Sequence, residues 1–267
     1  MTVIVSVKIN DGIVMAADSA SSFAIGQIYQ HANKIANLRK GLPIGIMVTG
    51  HGGIGAESVE TLLKDLRRRF TGEEDCFKEW KLDPSNYRIE GVANRLTEFI
   101  GEKAAQSETD VFMHFRICGY SSGQPLAEVW DVMTQGRQCL PPQCLQAQSD
   151  FGPRWAGEKE ALDRLILGVG SDFRSASVKL GLPDVKADEV TLAVIRELNE
   201  PLWLSAMPIQ DAIDLAKYCV NTTAGFVRFS VRRQKTVGGL VEVAVITKHE
   251  GFKWVQRKHF YTRDLNG

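Results

Sequence analysis

The sequence predicts an α+β fold in which helices pack on antiparallel sheets. Strand patterns come first along the chain, helical patterns occupy the middle, and strand patterns return near the end. This order differs from the regular strand–helix alternation of a parallel α/β fold. At 267 residues, of which 44% are hydrophobic, the chain is long enough for one large domain with a substantial core.

The strands are predicted where β-branched residues cluster or alternate with polar ones, between turn signals. The first two are the clearest, because Asn10-Asp11-Gly12 between them is a strong hairpin turn. The predicted strands cover 2–9, 13–17, 34–38, 44–49, 111–118, 127–133, 226–230 and 239–246. We expect the last two to form a closing hairpin.

The helices are predicted from apolar residues spaced three or four apart. The first is the clearest, because Leu62, Leu63, Leu66 and Phe70 share one face. The predicted helices cover 56–70, 92–105, 158–167, 188–198 and 208–220.

Composition excludes several classes of function. Basic and acidic residues both number 32, so net charge gives no reason to expect a nucleic-acid or membrane partner. No apolar run reaches about 18 residues, and the first residues lack the basic start of a signal peptide. A cytoplasmic location is therefore the default expectation.

Neither a metal nor another cofactor is predicted. Cys139 and Cys144 have no second Cys/His pair at zinc-like spacing, so the five cysteines are interpreted as reduced thiols. The glycine-rich loop 50–55 follows a strand and precedes a helix, as a phosphate loop would. It matches neither GxGxxG nor GxxxxGK[ST], which argues against nucleotide binding.

Three residues at the ends of predicted strands form a candidate catalytic set. Asp18 follows Thr2 by 16 residues, and Lys34 follows Asp18 by 16. A threonine hydroxyl needs a base, and the free α-amine of a chain that begins at Thr2, with a reference pKa of about 7.7–8.0, could serve. The Lys34 ammonium would lower the pKa of that amine further, and Asp18 would hold Lys34 charged and in place. The Gly50-His51 turn could supply oxyanion donors, aided by the dipole of the following helix.

Four segments resemble the opening of proteasome β-type subunits, a family that includes HslV and Anbu. They are Thr2-Val-Ile-Val-Ser-Val, Gly12-Ile-Val-Met-Ala-Ala-Asp18, Asn33-Lys34-Ile35 and Val48-Thr-Gly50-His-Gly-Gly. The resemblance implies a four-layer αββα sandwich of the N-terminal-nucleophile hydrolase type. It also implies stacked homo-oligomeric rings and a threonine that becomes N-terminal when Met1 is removed, with no propeptide before it. The chain would be a single proteasome-type domain, 1–267, with insertions near 71–90, 134–153 and 171–205.

The resemblance also assigns roles to individual residues. Thr2, Asp18, Lys34 and Gly50 would form the catalytic centre. The implied substrate-binding positions are Ser21 and Ser22, which would align a peptide as an added strand, and Val48 and Gly52, which would line the first specificity pocket. His51 is interpreted as a loop residue. Segments 155–164, 207–216 and 237–239 are most similar to the β-proteobacterial proteasome homologue group.

Two parts of this sequence depart from the family pattern. The preferred alignment, on Trp155-Ala-Gly157, places Glu158 where the family has a serine that bonds the threonine amine, so Glu158 is included among the predicted catalytic residues. The charge of that carboxylate would raise the pKa of the amine. The alternative, Gly168-Val-Gly-Ser171, places Val169 there and leaves Ser171 nearby. The family's Arg-Asp-x-x-Ser segment is not recognisable, and Asn221-Thr-Thr223 or Thr236 are the alternatives for it.

The predicted function is a threonine peptidase that cleaves peptides or unfolded chains inside a ring. Two alternatives stay open: an amidohydrolase acting on small amides, and a catalytically weak homologue that forms rings. The sequence identifies no regulatory ATPase, and residues 263–267 contain no recognisable docking tail.

Overall fold

The computed structural model describes residues 2–22 and 27–258. The expectations that concern Met1 and residues 263–267 lie outside this part of the chain. The strands are β1 (Val3–Ile9), β2 (Gly12–Ala17), β3 (Ser21–Ser22), β4 (Ile28–Tyr29), β5 (Ile35–Asn37), β6 (Ile44–Gly50), β7 (Gly53–Ile54), β8 (Glu57–Ser58), β9 (Met113–Gly119), β10 (Glu128–Gln135), β11 (Gln138–Cys139), β12 (Gln143–Gln146), β13 (Gly152–Gly157), β14 (Glu242–Thr247) and β15 (Gly251–Gln256). The helices are α1 (Val59–Thr71), α2 (Ile89–Gln106), α3 (Glu160–Ile166), α4 (Phe173–Lys179), α5 (Asp184–Leu198) and α6 (Ile209–Phe229), with a 3₁₀ helix at Asp75–Trp80.

Two antiparallel sheets organise the chain, and the predicted mixture of helices with antiparallel sheets is confirmed. The first sheet has the strand order β13-β1-β2-β14-β15. The second has the order β11-β10-β9-β6-β5, with β12 also paired to β10. The chain therefore completes the first sheet only after it has built the whole second sheet.

Three apolar clusters hold these elements together. One packs α1 and α2 on the second sheet, and another packs α3 and α6 on the first. The third joins the facing sides of the two sheets, where Ile4 and Met15 meet Met47 and Cys118. Side chains alternate along a strand, so the residues of β1 on the α6 side are odd-numbered and Ile4 faces the other sheet. Thr2, two positions before Ile4, is expected on the face that looks toward the second sheet.

Several predicted element types or limits are wrong. Residues 226–230 do not form a strand, because α6 continues to Phe229 and buries Val227 on the same face as Val220 and Thr223. The closing hairpin is formed instead by β14 and β15, and β14 also pairs with β2. The edge strand β13 was not predicted at all, since its glycine and proline residues are typical of a loop.

The first helix begins later than predicted. Ser58 caps it by accepting a hydrogen bond from the Thr61 amide at 3.2 Å, so the helix starts at Val59 rather than at 56. The short hairpin of β7 and β8 occupies the intervening residues. Within the described ranges, no helix is both long and apolar enough to cross a membrane.

Candidate active site

The three residues of the candidate catalytic set converge at one end of the first sheet. The β1–β2 hairpin brings Asp18 beside the start of β1, where the Val3 amide donates a hydrogen bond to Asp18 Oδ1 at 3.0 Å. Lys34 Nζ lies 2.7 Å from the same oxygen. Thr2, Asp18 and Lys34 are 5%, 1% and 5% exposed. The regular spacing in sequence therefore corresponds to a buried cluster in space.

Backbone amides hold the Asp18 carboxylate in addition to Lys34. Asp18 Oδ2 accepts hydrogen bonds from the Ala20 amide at 3.1 Å and from the Gly238 amide at 3.0 Å. Together with Val3, three N–H groups solvate this buried charge, as a buried carboxylate requires. The hydrogen bond from Gly238 to Asp18 was not predicted. The only feature that the sequence shows at residues 237–239 is their similarity to one group within the family.

Lys34 combines a fixed position with a pKa below the ordinary value of a lysine. Its Nζ donates to Asp18 Oδ1 and to the Ala20 carbonyl oxygen. Burial lowers the pKa of Lys34 below its ordinary value, while the negative charge of Asp18 and the hydrogen bond to it oppose that shift. Lys34 is thus fixed by two hydrogen bonds within the cluster that contains Thr2.

The backbone of β13 fixes the position of Thr2. The Thr2 carbonyl oxygen accepts a hydrogen bond from the Glu158 amide at 2.7 Å. Gly157 has a φ of 88°, and a Cβ atom there would lie 1.8 Å from the Thr2 carbonyl oxygen. Only glycine satisfies both the dihedral angle and the close approach.

Replacing Gly157 by alanine is therefore expected to displace Thr2 and to destabilise the protein. Gly181→Ala is the matched control, because Gly181 has a φ of 98° and a Cβ atom there would meet no atom within 4 Å beyond its chain neighbours. Both variants carry a backbone strain of about 1–3 kcal/mol, and only Gly157→Ala adds a steric clash. Urea unfolding of the two variants measures the difference, and equal losses of stability would contradict this account.

Glu158 lies beside Thr2 through its backbone, while its carboxylate is bound elsewhere. Glu158 Oε1 accepts a hydrogen bond from Arg233 Nη1 at 2.8 Å, and Arg233 Nη2 lies 3.5 Å from Glu160 Oε2. Arg233 thus compensates the charge of Glu158, and the predicted effect of that charge on the pKa of the threonine amine stays a prediction. Arg233 was missed because its segment is typical of a charged stretch near a turn.

The alternative alignment places its serine in a different network. The Ser171 hydroxyl donates to Asp163 Oδ2 at 3.0 Å, and the Ser171 amide donates to Glu160 Oε2 at 2.8 Å. These contacts tie Ser171 to α3. They give it a structural partner on that helix, whereas the Glu158 amide is bonded directly to the Thr2 carbonyl.

Gly50 occupies a position that only glycine fits, and the amide of the next residue is already hydrogen-bonded. Gly50 has a φ of 105°, and a Cβ atom there would lie 2.2 Å from the Phe112 carbonyl oxygen. The His51 amide donates to that same carbonyl at 2.9 Å, so its prediction as an oxyanion donor is wrong. The helix α1 begins at Val59, later than predicted, and Ser58 and Val59 line the same small cleft as Thr2 and Gly50, so the contribution of the helix dipole stays a prediction.

Two adjoining clefts open at this cluster. A smaller one of about 190 Å³ is lined by Thr2 and Lys34, together with four other predicted site residues: Ser21, Val48, Gly50 and Gly52. A larger one of about 900 Å³ shares Ser21, Gly50 and Gly52 with it and adds Ser22. All four residues expected to bind substrate therefore line a cleft next to the catalytic set.

The two alternatives for the family's Arg-Asp-x-x-Ser segment have different environments. Thr223 lies inside α6, where its hydroxyl donates to the Cys219 carbonyl at 3.0 Å. Thr236 is buried two residues before Gly238, and its hydroxyl has no hydrogen-bond partner in the part of the chain that the structure describes. Of the two alternatives, Thr236 is the one that lies near in sequence to a residue in contact with Asp18.

Comparison with known proteins supports the fold. No protein-family model matches the sequence, and no curated protein matches it either. The structure of Anbu, an ancestral β-subunit, from Yersinia bercovieri is similar over 97% of this chain and 89% of that chain, with a TM-score of 0.58 and 15% sequence identity. At that identity the likeness shows the fold alone. The resemblance to proteasome β-type subunits is thus supported as a similarity of fold.

Proposed function

We propose that this protein is a threonine-type N-terminal-nucleophile peptidase that cleaves peptides or unfolded chains. The observation that carries the proposal is the contact of Asp18 with both Val3 and Lys34, next to Thr2 and at the edge of a cleft. The likeness to Anbu in fold is consistent with it. The order of helices, sheet, sheet and helix also suits a four-layer αββα sandwich.

The proposed reaction uses Thr2 as nucleophile and base at once. After removal of Met1, the free amine of Thr2 takes the proton of its hydroxyl as the oxygen attacks the carbonyl carbon of a peptide bond. The amine then gives that proton to the leaving nitrogen, and an ester on Thr2 is left. Water hydrolyses the ester in a second step and restores the hydroxyl.

The charged residues favour this reaction at neutral pH. The Lys34 cation lowers the pKa of a neighbouring amine by repulsion between like charges, which keeps more of that amine free of its proton. The amide of Gly50 is the proposed oxyanion donor, because the glycine lines both clefts. The contact of Arg233 with Glu158 limits the opposing effect of that carboxylate.

The size of the site favours a peptide over a small amide. The smaller cleft of about 190 Å³ suits one side chain, and the adjoining space of about 900 Å³ suits a longer chain. Ser21 and Ser22 form β3 at the boundary and could pair with an extended peptide. Assembly into stacked homo-oligomeric rings in the cytoplasm completes the proposal.

The test combines intact mass with a peptide epoxyketone probe. The probe closes a ring with a hydroxyl and a neighbouring free amine, so it labels Thr2 only if both groups are present. We expect a mass lower by one methionine and a single adduct on Thr2. If Met1 is absent and rings form without labelling, the catalytically weak homologue is the better assignment. If only small amides are turned over, the amidohydrolase is.

A further inference from the structure

A second buried ion pair lies behind the Asp18–Lys34 pair. Glu242 and Lys258 are 1% and 8% exposed, and Lys258 Nζ lies 3.2 Å from Glu242 Oε2. Glu242 begins β14 and pairs with Ala17, the residue before Asp18. Four charged side chains, two of each sign, are therefore buried in one region.

Lys258 joins the two chain segments that carry the catalytic pair. Its Nζ donates to the Ser19 hydroxyl oxygen at 3.0 Å and to the Ala32 carbonyl oxygen at 2.6 Å. Ser19 follows Asp18, and Ala32 precedes Lys34 by two residues. The Ala32 amide also donates to the Ser19 carbonyl at 2.9 Å. Lys258 thus reinforces the contact between Ser19 and Ala32, at the end of these segments that lies nearest to Asp18 and Lys34, while the pairing of β3 with β4 joins the same segments farther along.

Glu242 depends on Lys258 as its counter-ion. Neither oxygen of the Glu242 carboxylate has a well-aligned hydrogen bond within the described residues, although Oε2 is close to Lys258 Nζ. A buried charge without hydrogen bonds is costly unless an opposite charge compensates it. The net contribution of the pair to stability is therefore small, whereas loss of Lys258 alone would leave the buried Glu242 carboxylate uncompensated.

The two pairs also interact electrostatically. Burial is the main cause that lowers the pKa of Lys34, and the Lys258 cation adds to that effect while Asp18 and Glu242 oppose it. Burial likewise lowers the pKa of Lys258, Glu242 and Asp18 oppose this, and Arg257 adds to it. The charge state of Lys34 is thus linked to that of Lys258.

We propose that Lys258 is a positioning residue for the candidate active site, with Glu242 as its counter-ion. Lys258 fixes the Asp18 and Lys34 segments relative to each other. It also places a positive charge, compensated by Glu242, in the surroundings of Lys34. The relevance of this role to catalysis rests on the proposed function, whereas the electrostatic link itself does not.

The test titrates Lys34 directly by NMR in protein labelled with ¹³C at the lysine side chains. Lys258→Met removes one positive charge, so the titration midpoint of Lys34 is expected to move to higher pH. Glu242→Gln removes one negative charge and is expected to move it to lower pH. The double variant restores the balance and is expected to return toward the wild-type midpoint.

Lys253→Met is the matched control, because Lys253 lies on the exposed face of the neighbouring strand β15. A Lys34 midpoint that is the same in Lys258→Met, Lys253→Met and the wild type would overturn the proposal. The neutral double variant keeps the test decisive if Lys258→Met does not fold, since its midpoint is compared with that of Glu242→Gln. A merely structural role would not move the two single variants in opposite directions.

Peptide hydrolysis by the same variants is the second measurement. We expect Lys258→Met to lower kcat/KM by about ten- to a hundredfold, because small displacements of catalytic groups are costly. Its pH profile should move in the direction in which Lys34 moves. If the two single variants shift the Lys34 midpoint in opposite directions but the wild-type protein hydrolyses no peptide, the proposed function alone is refuted. Normal hydrolysis by Lys258→Met with an unmoved Lys34 midpoint would refute the role of Lys258 alone.

Discussion

Thr2→Ala is expected to lower kcat/KM for peptide hydrolysis by about 10³-fold or more, because it removes the only oxygen that the proposed mechanism uses as nucleophile. The fold should survive the change. The contact that fixes Thr2 is its backbone carbonyl, bonded by the Glu158 amide at 2.7 Å, and alanine keeps that carbonyl. Initial rates with a fluorogenic peptide, together with urea unfolding, separate lost chemistry from lost stability.

Two further variants sharpen this test. Thr2→Ser keeps a hydroxyl and an N-terminal amine and should retain much of the activity. Thr49→Val is the matched control, because Thr49 is also buried and lines both clefts, so its hydroxyl is removed from the same surroundings. Substantial hydrolysis by Thr2→Ala, or equal losses in Thr2→Ala and Thr49→Val, would rule out Thr2 as the nucleophile.

The predictable part of the site is the part built by local structure. Asn10-Asp11-Gly12 sets the β1–β2 hairpin, and its register places Asp18 beside Val3, so Asp18 and Thr2 could be brought together from the sequence. The Gly238 contact with Asp18 spans 220 residues of the sequence and could not. For the glycine, arginine and lysine residues late in the chain, the local sequence gives no indication of their partners. These partners come close only when the first sheet has formed.

The errors in the fold have a related cause. Phe226, Val227 and Phe229 have high strand propensity, yet they continue α6 because Val227 extends the helix face that covers the first sheet. The edge strand β13 contains Gly152 and Pro153 and is recognisable only through its pairing with β1. Local propensity competes with burial in both cases, and burial decides the structure.

Asp18→Ala is expected to destabilise the protein by about 3–5 kcal/mol, and by more than Lys34→Met does. The asymmetry follows from the hydrogen bonds. Asp18 accepts from the amides of Val3, Ala20 and Gly238 as well as from Lys34, so alanine removes the acceptor of two buried N–H groups, of one part-buried N–H group and of the Lys34 ammonium.

Lys34→Met leaves a smaller deficit. It removes a buried cation whose own desolvation is costly, and the Asp18 carboxylate still accepts hydrogen bonds from three amides, each of which contributes more to a charged acceptor than to a neutral one. Asp18→Asn is the informative intermediate. Its Oδ1 can still accept from Val3, whereas an amide nitrogen in place of Oδ2 would face two N–H donors, so its stability should lie between those of Asp18→Ala and Lys34→Met. Urea unfolding of the three variants gives the order, and a larger loss in Lys34→Met than in Asp18→Ala would mean that the ion pair, rather than the backbone amides, is what stabilises this end of the sheet.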